Sequence, residues 1–408
     1  IWYRVGSRLD PQGKTGISHW VEHMQFKGTP RFPASILDKA ISRTGGVWNA
    51  FTHLDWTTYY ETLPADQIDL ALELESDRMQ NSKFDSAGVE SERSVILSEL
   101  EGSLNEPQFQ LAQAIQSASF ERHPYRNEII GKREDLLHIE TNDLVEHYHQ
   151  YYTPSNAILT LAGDFDSKRM LEKIQTSFEA LPSKSPQSNP AFFEPPLSSE
   201  KRVTIDGPGS TTYLHLAYRA PAARELDFFA FSILDSLLCG PTSLNMFGGG
   251  GISNKTSRPY QALVAKEFTT HVRGGMQATV DPFLFELNTT LLPNTSPDAV
   301  LKIIDSEIQR LQETLVTHDE IARAIKQAKA LFAYGSENIT NQAFWLGYAE
   351  MFDDYTWFTR YVDHLEAITP EKVQHIAQTY LTPEQRVVGI YLHSNGNSSK
   401  GNKRWIIP

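Results

Sequence analysis

Residues 16 to 27 read Gly-Ile-Ser-His-Trp-Val-Glu-His-Met-Gln-Phe-Lys, and the spacing of their apolar positions predicts a helix. Ile17, Trp20, Val21 and Met24 fall at i, i+3, i+4 and i+7, the stripe by which a helix enters a core. His19, Glu22 and His23 then lie on the other side, one turn apart. Two imidazoles at i and i+4 can grip one metal ion, and a glutamate between them can reach a water on that metal. The order is H-x-x-E-H, the reverse of the commoner H-E-x-x-H zinc motif. A chain with 13 histidines will sometimes place two of them four apart on a wet helix face, so the pattern needs a third ligand to carry weight.

At 408 residues the chain is too long for one ordinary domain, and two of roughly 200 residues are expected. No apolar run approaches the length needed to span a bilayer. The formal net charge of -13 argues against a nucleic-acid partner and is compatible with basic peptide ligands. Cys239 is the sole cysteine, which excludes an intrachain disulfide and any metal site built on several thiolates. The first residues, Ile-Trp-Tyr-Arg-Val, read like the middle of a strand, so an N-terminal piece carrying any targeting signal is expected to be absent.

Along the first half, residues 1–7 alternate as a strand, and a turn at 10–13 leads into the histidine helix. A short helix is expected over 35–43. Residues 47–52 and 56–62, rich in β-branched and aromatic side chains, predict a hairpin. Helices follow over 65–81 and 88–103. The last has a core stripe of Val89, Ile96 and Leu100, with Glu92 and Glu99 seven apart on one face. By spacing, either carboxylate could complete a His-His-Glu zinc site with an open fourth position, and a solvated acidic face is the alternative.

The motifs taken together resemble a known family. They are Val5-Gly6-Ser7-Arg8, Gly16 to Thr29, Asn49-Ala50-Phe51-Thr52, Glu75-Ser76-Asp77-Arg78-Met79 and Glu92 to Glu99, then His123-Pro124-Tyr125, Ile130-Gly131, and Tyr152 to Ala157 with Gly163-Asp164. In this order they resemble the pitrilysin-type (inverzincin) zinc metallopeptidases, and most closely the short subunits of about 400 residues similar to the catalytic subunit of the mitochondrial processing peptidase. The resemblance implies one Zn2+ per chain, held by His19, His23 and a glutamate 76 positions after the second histidine, which is Glu99. It implies that Glu22 is the catalytic base and that Glu92 orients a histidine ligand from behind. It also implies that Asn49, Ala50, Phe51 and Thr52 form an edge strand to which substrate adds by backbone pairing. From the residues themselves Asn49 reads as a turn.

A proline- and serine-rich stretch without helical period predicts a catalytic domain over 1–181, a linker over 182–199 and a second domain over 200–408. The second half repeats the general order of the first. It expects strands near 202–205, 213–218 and 387–392 and helices over 227–238, 296–315 and 319–336. His215, His271, His318, His364, His375 and His393 include no metal-binding pair and read as structural or surface histidines. Gly240 to Lys255 departs from the family pattern and contains Gly248-Gly249-Gly250-Gly251, which resembles the glycine-rich loop of the non-catalytic processing-peptidase subunit. As a phosphate cradle it is weak, because Asn254 stands where that motif needs glycine. A lid or substrate-contacting loop and a surface insert both fit it.

The fold class expected is α+β: two related α/β domains, each an antiparallel sheet with helices packed on it, together half of a clam-shaped peptidase. The function expected is zinc-dependent endoproteolysis of short or unfolded peptides inside a dimeric chamber. The partner is a second copy or a related non-catalytic subunit, with no nucleic acid and no membrane span. Family members also use an arginine and a tyrosine to steady the tetrahedral intermediate. Arg258, Tyr260 and Arg273 are the available residues, and none has a recognisable context. The competing expectation is a catalytically inactive structural or assembly subunit.

Overall fold

Among the described residues of this computed structural model (1–184, 190–240 and 255–393), nine strands sort into two sheets. The strands are β1 (Trp2–Tyr3), β2 (Val47–Thr52), β3 (Thr57–Thr62), β4 (Ala157–Ile158), β5 (Lys201–Gly207), β6 (Tyr213–Arg219), β7 (Thr269–Met276), β8 (Leu284–Leu291) and β9 (Arg386–His393). The first sheet has the order β2-β3-β1-β4 and is antiparallel throughout. The second has the order β5-β9-β6-β8-β7. It is antiparallel except at one edge, where β5 lies parallel to β9 with Lys201 opposite Val387. The expected α+β class therefore holds, with one parallel pairing added.

The hairpin forms as its composition predicts, with Asn49 opposite Tyr60 and Thr52 opposite Thr57. Asn49 is thus a strand residue and not a turn residue. The first strand is shorter than its alternation suggests. Beyond Tyr3 the backbone leaves the ladder, and the amides of Ser7 and Arg8 donate to the carbonyls of His53 and Leu54 in the hairpin turn. The helix Ile17–Met24 buries Ile17, Trp20, Val21 and Met24, as its stripe requires. Behind it runs the long helix Ser86–Leu104, which buries Val89, Ile96 and Leu100.

The described chain divides into two units that do not follow the sequence halves. Unit 1 comprises Ile1–Gly102, Asn127–Phe192 and Gln342–Met351, and unit 2 comprises Ser103–Arg126, Phe193–Asn341 and Phe352–Pro408. The boundaries expected at 181 and 200 sit close to the crossing at Phe192, but two short segments are exchanged. Packing explains both. The helix Pro107–Ser119 buries Leu111, Ala114 and Ile115, and it lies so close to β9 that a Cβ on Gly389 would stand 2.4 Å from Ile115 Cδ1. The segment 342–351 brings Phe344 to within 4.9 Å of Trp2, centroid to centroid. There a Cβ on Gly347 would stand 1.9 Å from Trp2 Nε1. At Gly347 the rigid indole leaves room for glycine alone, whereas a side chain at position 389 would require Ile115 to shift.

Candidate metal centre

The helix Ile17–Met24 is pinned at its start by a side chain from the preceding loop. The Asp10 carboxylate accepts from the Gly16 amide at 2.7 Å, the Ser18 amide at 3.2 Å and the Ser18 hydroxyl at 2.6 Å. These amides have no intrahelical acceptor, so the carboxylate satisfies donors that burial would otherwise leave bare. Ser18 Oγ also lies 3.1 Å from His147 Nε2. With its apolar stripe buried and its first turn held, the helix turns His19, Glu22 and His23 to one side.

His19 Nε2 and His23 Nε2 are 3.2 Å apart. Glu99 Oε2 lies 4.0 Å from the first and 3.8 Å from the second. Among the described residues this is the one group of three or more His, Cys, Asp or Glu side chains whose ligand atoms all lie within 4.8 Å of one another. A tetrahedral zinc ion with ligand bonds of about 2.0–2.2 Å has ligand-to-ligand edges of roughly 3.3–3.6 Å. The observed edges bracket those values.

The chemistry of the donor set points the same way. His23 Nδ1 lies 2.9 Å from Glu92 Oε1. A proton donated along that contact leaves the Nε2 lone pair directed at Glu99 and His19. Burial, and then the neighbouring His23, lowers the pKa of His19 to about 3, so that imidazole is neutral and brings no charge of its own. Two imidazole nitrogens and a carboxylate oxygen thus face one point, an arrangement that a divalent ion satisfies. His19 differs from His23 in its support, because its Nδ1 is buried without a hydrogen-bond partner.

Glu92 does more than the sequence suggests. Its second oxygen is ion-paired with Lys27, one helical turn beyond His23. Burial would raise its pKa, but Lys27 and His23 hold it below the usual carboxylate range, so it stays ionised behind the imidazole. Glu22 sits on the same side of the helix Ile17–Met24 and is nearly buried. Thr52, the last residue of β2, donates its hydroxyl to Glu22 Oε2 at 2.5 Å. Burial raises the Glu22 pKa, and the Thr52 hydrogen bond partly offsets this.

The residues expected to meet substrate lie where a strand could be added. Asn49, Ala50, Phe51 and Thr52 all belong to β2, which is the outer strand of its sheet. Ala50 is buried, and the Asn49 side-chain oxygen accepts from the Ala50 amide at 2.9 Å. Thr52 is committed to Glu22, a link that sequence alone gave no signal for. Lys27 could have been found by its place four residues after His23. Asp10 could not, since it stands too far upstream for a capping rule. Of the residues considered as stabilising donors, Arg258 is engaged with Glu320 at 2.9 Å. The Gly248–Gly251 run lies outside the described residues.

Two family models match this chain: "Insulinase (Peptidase family M16)" over residues 1–133, a span that contains His19, Glu22, His23, Glu92 and Glu99, and "Peptidase M16 inactive domain" over residues 138–328. The chain belongs to peptidase family M16. Among relatives of this M16 chain, the zinc protease PqqE of Helicobacter pylori is 27% identical over 349 residues, covering 84% of the chain and 76% of that protein. A probable mitochondrial-processing peptidase subunit beta of Arabidopsis thaliana is 28% identical over 252 residues, covering 61% of the chain and 47% of that protein. The crystal structure of a protease from Helicobacter pylori superposes on this M16 chain with a TM-score of 0.87 at 26% identity, covering 96% of this chain and 92% of that one. The M16 inactive domain from Pseudomonas fluorescens shares the fold, with a TM-score of 0.84 at 17% identity. No described helix is long and apolar enough to cross a membrane.

Proposed function

We propose that this M16 chain is the zinc-dependent endopeptidase subunit of a dimer that cleaves short or unfolded peptides. The observation that carries the reading is the convergence of His19 Nε2, His23 Nε2 and Glu99 Oε2 on one point, with Glu22 beside it on the same helix. Zinc bound there would supply a Lewis acid that polarises the scissile carbonyl and makes water acidic enough to attack near neutral pH.

The chain's own groups do the rest. Glu92 fixes the tautomer of His23, and Lys27 keeps Glu92 charged. Thr52 occupies one oxygen of Glu22, which leaves Oε1 to take a proton from the attacking water and return it to the leaving amine. A pKa raised by burial suits that exchange, because it makes the carboxylate a stronger base toward the attacking water. The outer strand β2 can hold a peptide by backbone hydrogen bonds, which select extended shape over side-chain sequence. Because Thr52 ends β2 and touches Glu22, substrate held on this edge runs toward the base. The partner is a second copy or a related non-catalytic subunit, which supplies donors for the developing oxyanion.

Metal analysis joined to a peptide assay tests the proposal. The expected result is one zinc per chain and cleavage that chelators abolish and zinc restores. Glu22→Gln should retain the metal and lose roughly 10²–10⁴-fold in turnover. A chain with neither zinc nor cleavage, alone or with a partner, would instead be an assembly subunit.

A further inference from the structure

Unit 2 contains a cavity that the metal chemistry leaves unused. It lies between the helix Pro107–Ser119 and the β6–β8–β7 part of the second sheet, and its volume is about 270 Å³. The ladder places His215 opposite Asn288, Ala217 opposite Glu286 and His271 opposite Thr290. Side chains alternate across a strand, so Glu286, Asn288 and Thr290 point to one face, and all three line the cavity. Phe109 and Ala112 of the helix form its apolar wall.

His215 is the informative residue. It is only 6% exposed, and its Nε2 is buried with no hydrogen-bond partner. The nearest charged atom is Glu286 Oε1 at 3.5 Å, a separation at which little hydrogen bonding remains. Native proteins rarely leave such an atom bare without a reason. Glu286 in turn has no lysine or arginine ion pair among the described residues. Burial, and then Arg273, lowers the pKa of His271, so that imidazole brings no compensating charge. The cavity therefore offers one carboxylate, one unfilled imidazole nitrogen and an apolar wall on the opposite side.

We propose that this cavity binds a cationic head, an ammonium or guanidinium, carried on a short aliphatic stem. The stem would be the side chain of a peptide lysine or arginine, or that of a free amine of the same shape. The head donates to Glu286 Oε1 and His215 Nε2 together, and the stem lies against Phe109 and Ala112. The Asn288 side-chain oxygen and the Thr290 hydroxyl accept from the donors that remain. A carboxylate ligand would meet the Glu286 charge, and an apolar ligand would leave both polar groups unpaired. The volume falls just below the roughly 300–1,000 Å³ of sites for drug-sized molecules and suits a single side chain. The inference does not depend on zinc or on cleavage, because every lining residue belongs to unit 2.

Binding to the full chain can be measured by ligand-observed saturation-transfer NMR with capped lysine, capped arginine, capped norleucine, agmatine and butyrate. The lysine and arginine derivatives should bind saturably, and norleucine and butyrate should bind at least about tenfold more weakly, the loss expected when a charge-assisted hydrogen bond is removed. Glu286→Gln, an isosteric change at a partly exposed position, should weaken the cationic ligands by a similar factor. Ala112→Phe should fill the cavity and abolish binding, with circular dichroism and Tm showing that each variant folds. Agmatine matching the capped amino acids would identify a free amine as the ligand, whereas a clear preference for the capped forms would identify a peptide side chain. Norleucine or butyrate binding as well as lysine, or unchanged lysine binding in folded Glu286→Gln and Ala112→Phe, would overturn the proposal.

Discussion

Replacing Glu92 with glutamine tests how the proposed metal centre is supported without touching a proposed ligand. In the native arrangement one carboxylate oxygen faces His23 Nδ1 at 2.9 Å and the other is paired with the Lys27 ammonium. An amide has one acceptor and one donor end, and both neighbours here need an acceptor. If the amide oxygen faces Nδ1, the NH2 group meets the ammonium of Lys27. If the oxygen faces Lys27, the NH2 group forces His23 to accept at Nδ1 and to carry its proton on Nε2, where the proposed zinc would bind. Either choice costs zinc affinity, by roughly 10–100-fold for partners of this kind, equivalent to about 1.4–2.7 kcal/mol. Competition against a chromogenic chelator at fixed pH reads the change directly. The same geometry predicts that Lys27→Met partly restores affinity in the Glu92→Gln background, since it removes the donor that obstructs the amide. Glu99→Gln should cost more than Glu92→Gln, because it alters a donor that faces both Nε2 atoms. An unchanged affinity in Glu92→Gln, or a larger loss there than in Glu99→Gln, would refute this account of the centre.

Three further outcomes follow from other parts of the structure. Thr52→Val removes the hydrogen bond that lowers the Glu22 pKa, so the acid limb of the kcat/KM profile should move to higher pH while zinc content stays constant. Glu194 accepts from the backbone amides of Glu121, Arg122 and His123 at 2.6–2.8 Å. Burial would raise its pKa, but these donors and Arg219 hold it below the usual range. The stability it provides is therefore full above the unfolded value of about 4.3 and is lost as pH falls through the lower folded value. The Tm gap between wild type and Glu194→Gln should be plain at neutral pH and close in acid. Gly347→Ala would drive a Cβ into the Trp2 indole, and denaturant titration should show a loss of about 1–3 kcal/mol or more.

The parts of this fold that were legible in the sequence are those set by local periodicity. Ile17, Trp20, Val21 and Met24 announce their helix because every one of them is buried, and the hairpin 47–62 announces itself through β-branched and aromatic residues that pair in register. Spacing could not choose between Glu92 and Glu99, which share a helix face two turns apart. The choice came from family resemblance, and the structure sets Glu99 near both Nε2 atoms and Glu92 against Nδ1 of His23 alone. Long-range partners were hidden. Thr52 meets Glu22 across 30 residues, and His215 meets Glu286 across a strand pair, and neither relation has a sequence period. The second-half histidines read as structural because no two have metal-binding spacing. That criterion does not detect a lone imidazole beside a carboxylate in a cavity. An amphipathic helix such as Pro107–Ser119 reveals that it has a buried face and says nothing about which sheet that face will cover.

The exchanged segments have a consequence for synthesis. The strands of the first sheet are complete once Ile158 has been made, yet Trp2 obtains its Phe344 and Gly347 neighbours only from the segment that ends at Met351. At roughly 5–20 residues per second, the nascent chain waits about 10–40 s with this aromatic surface uncovered. Neither half of the sequence can be expected to fold to completion by itself, so truncation near the interdomain stretch should give aggregation-prone fragments and not a working catalytic domain. Chaperones would meet this chain during translation, through the uncovered indole of Trp2.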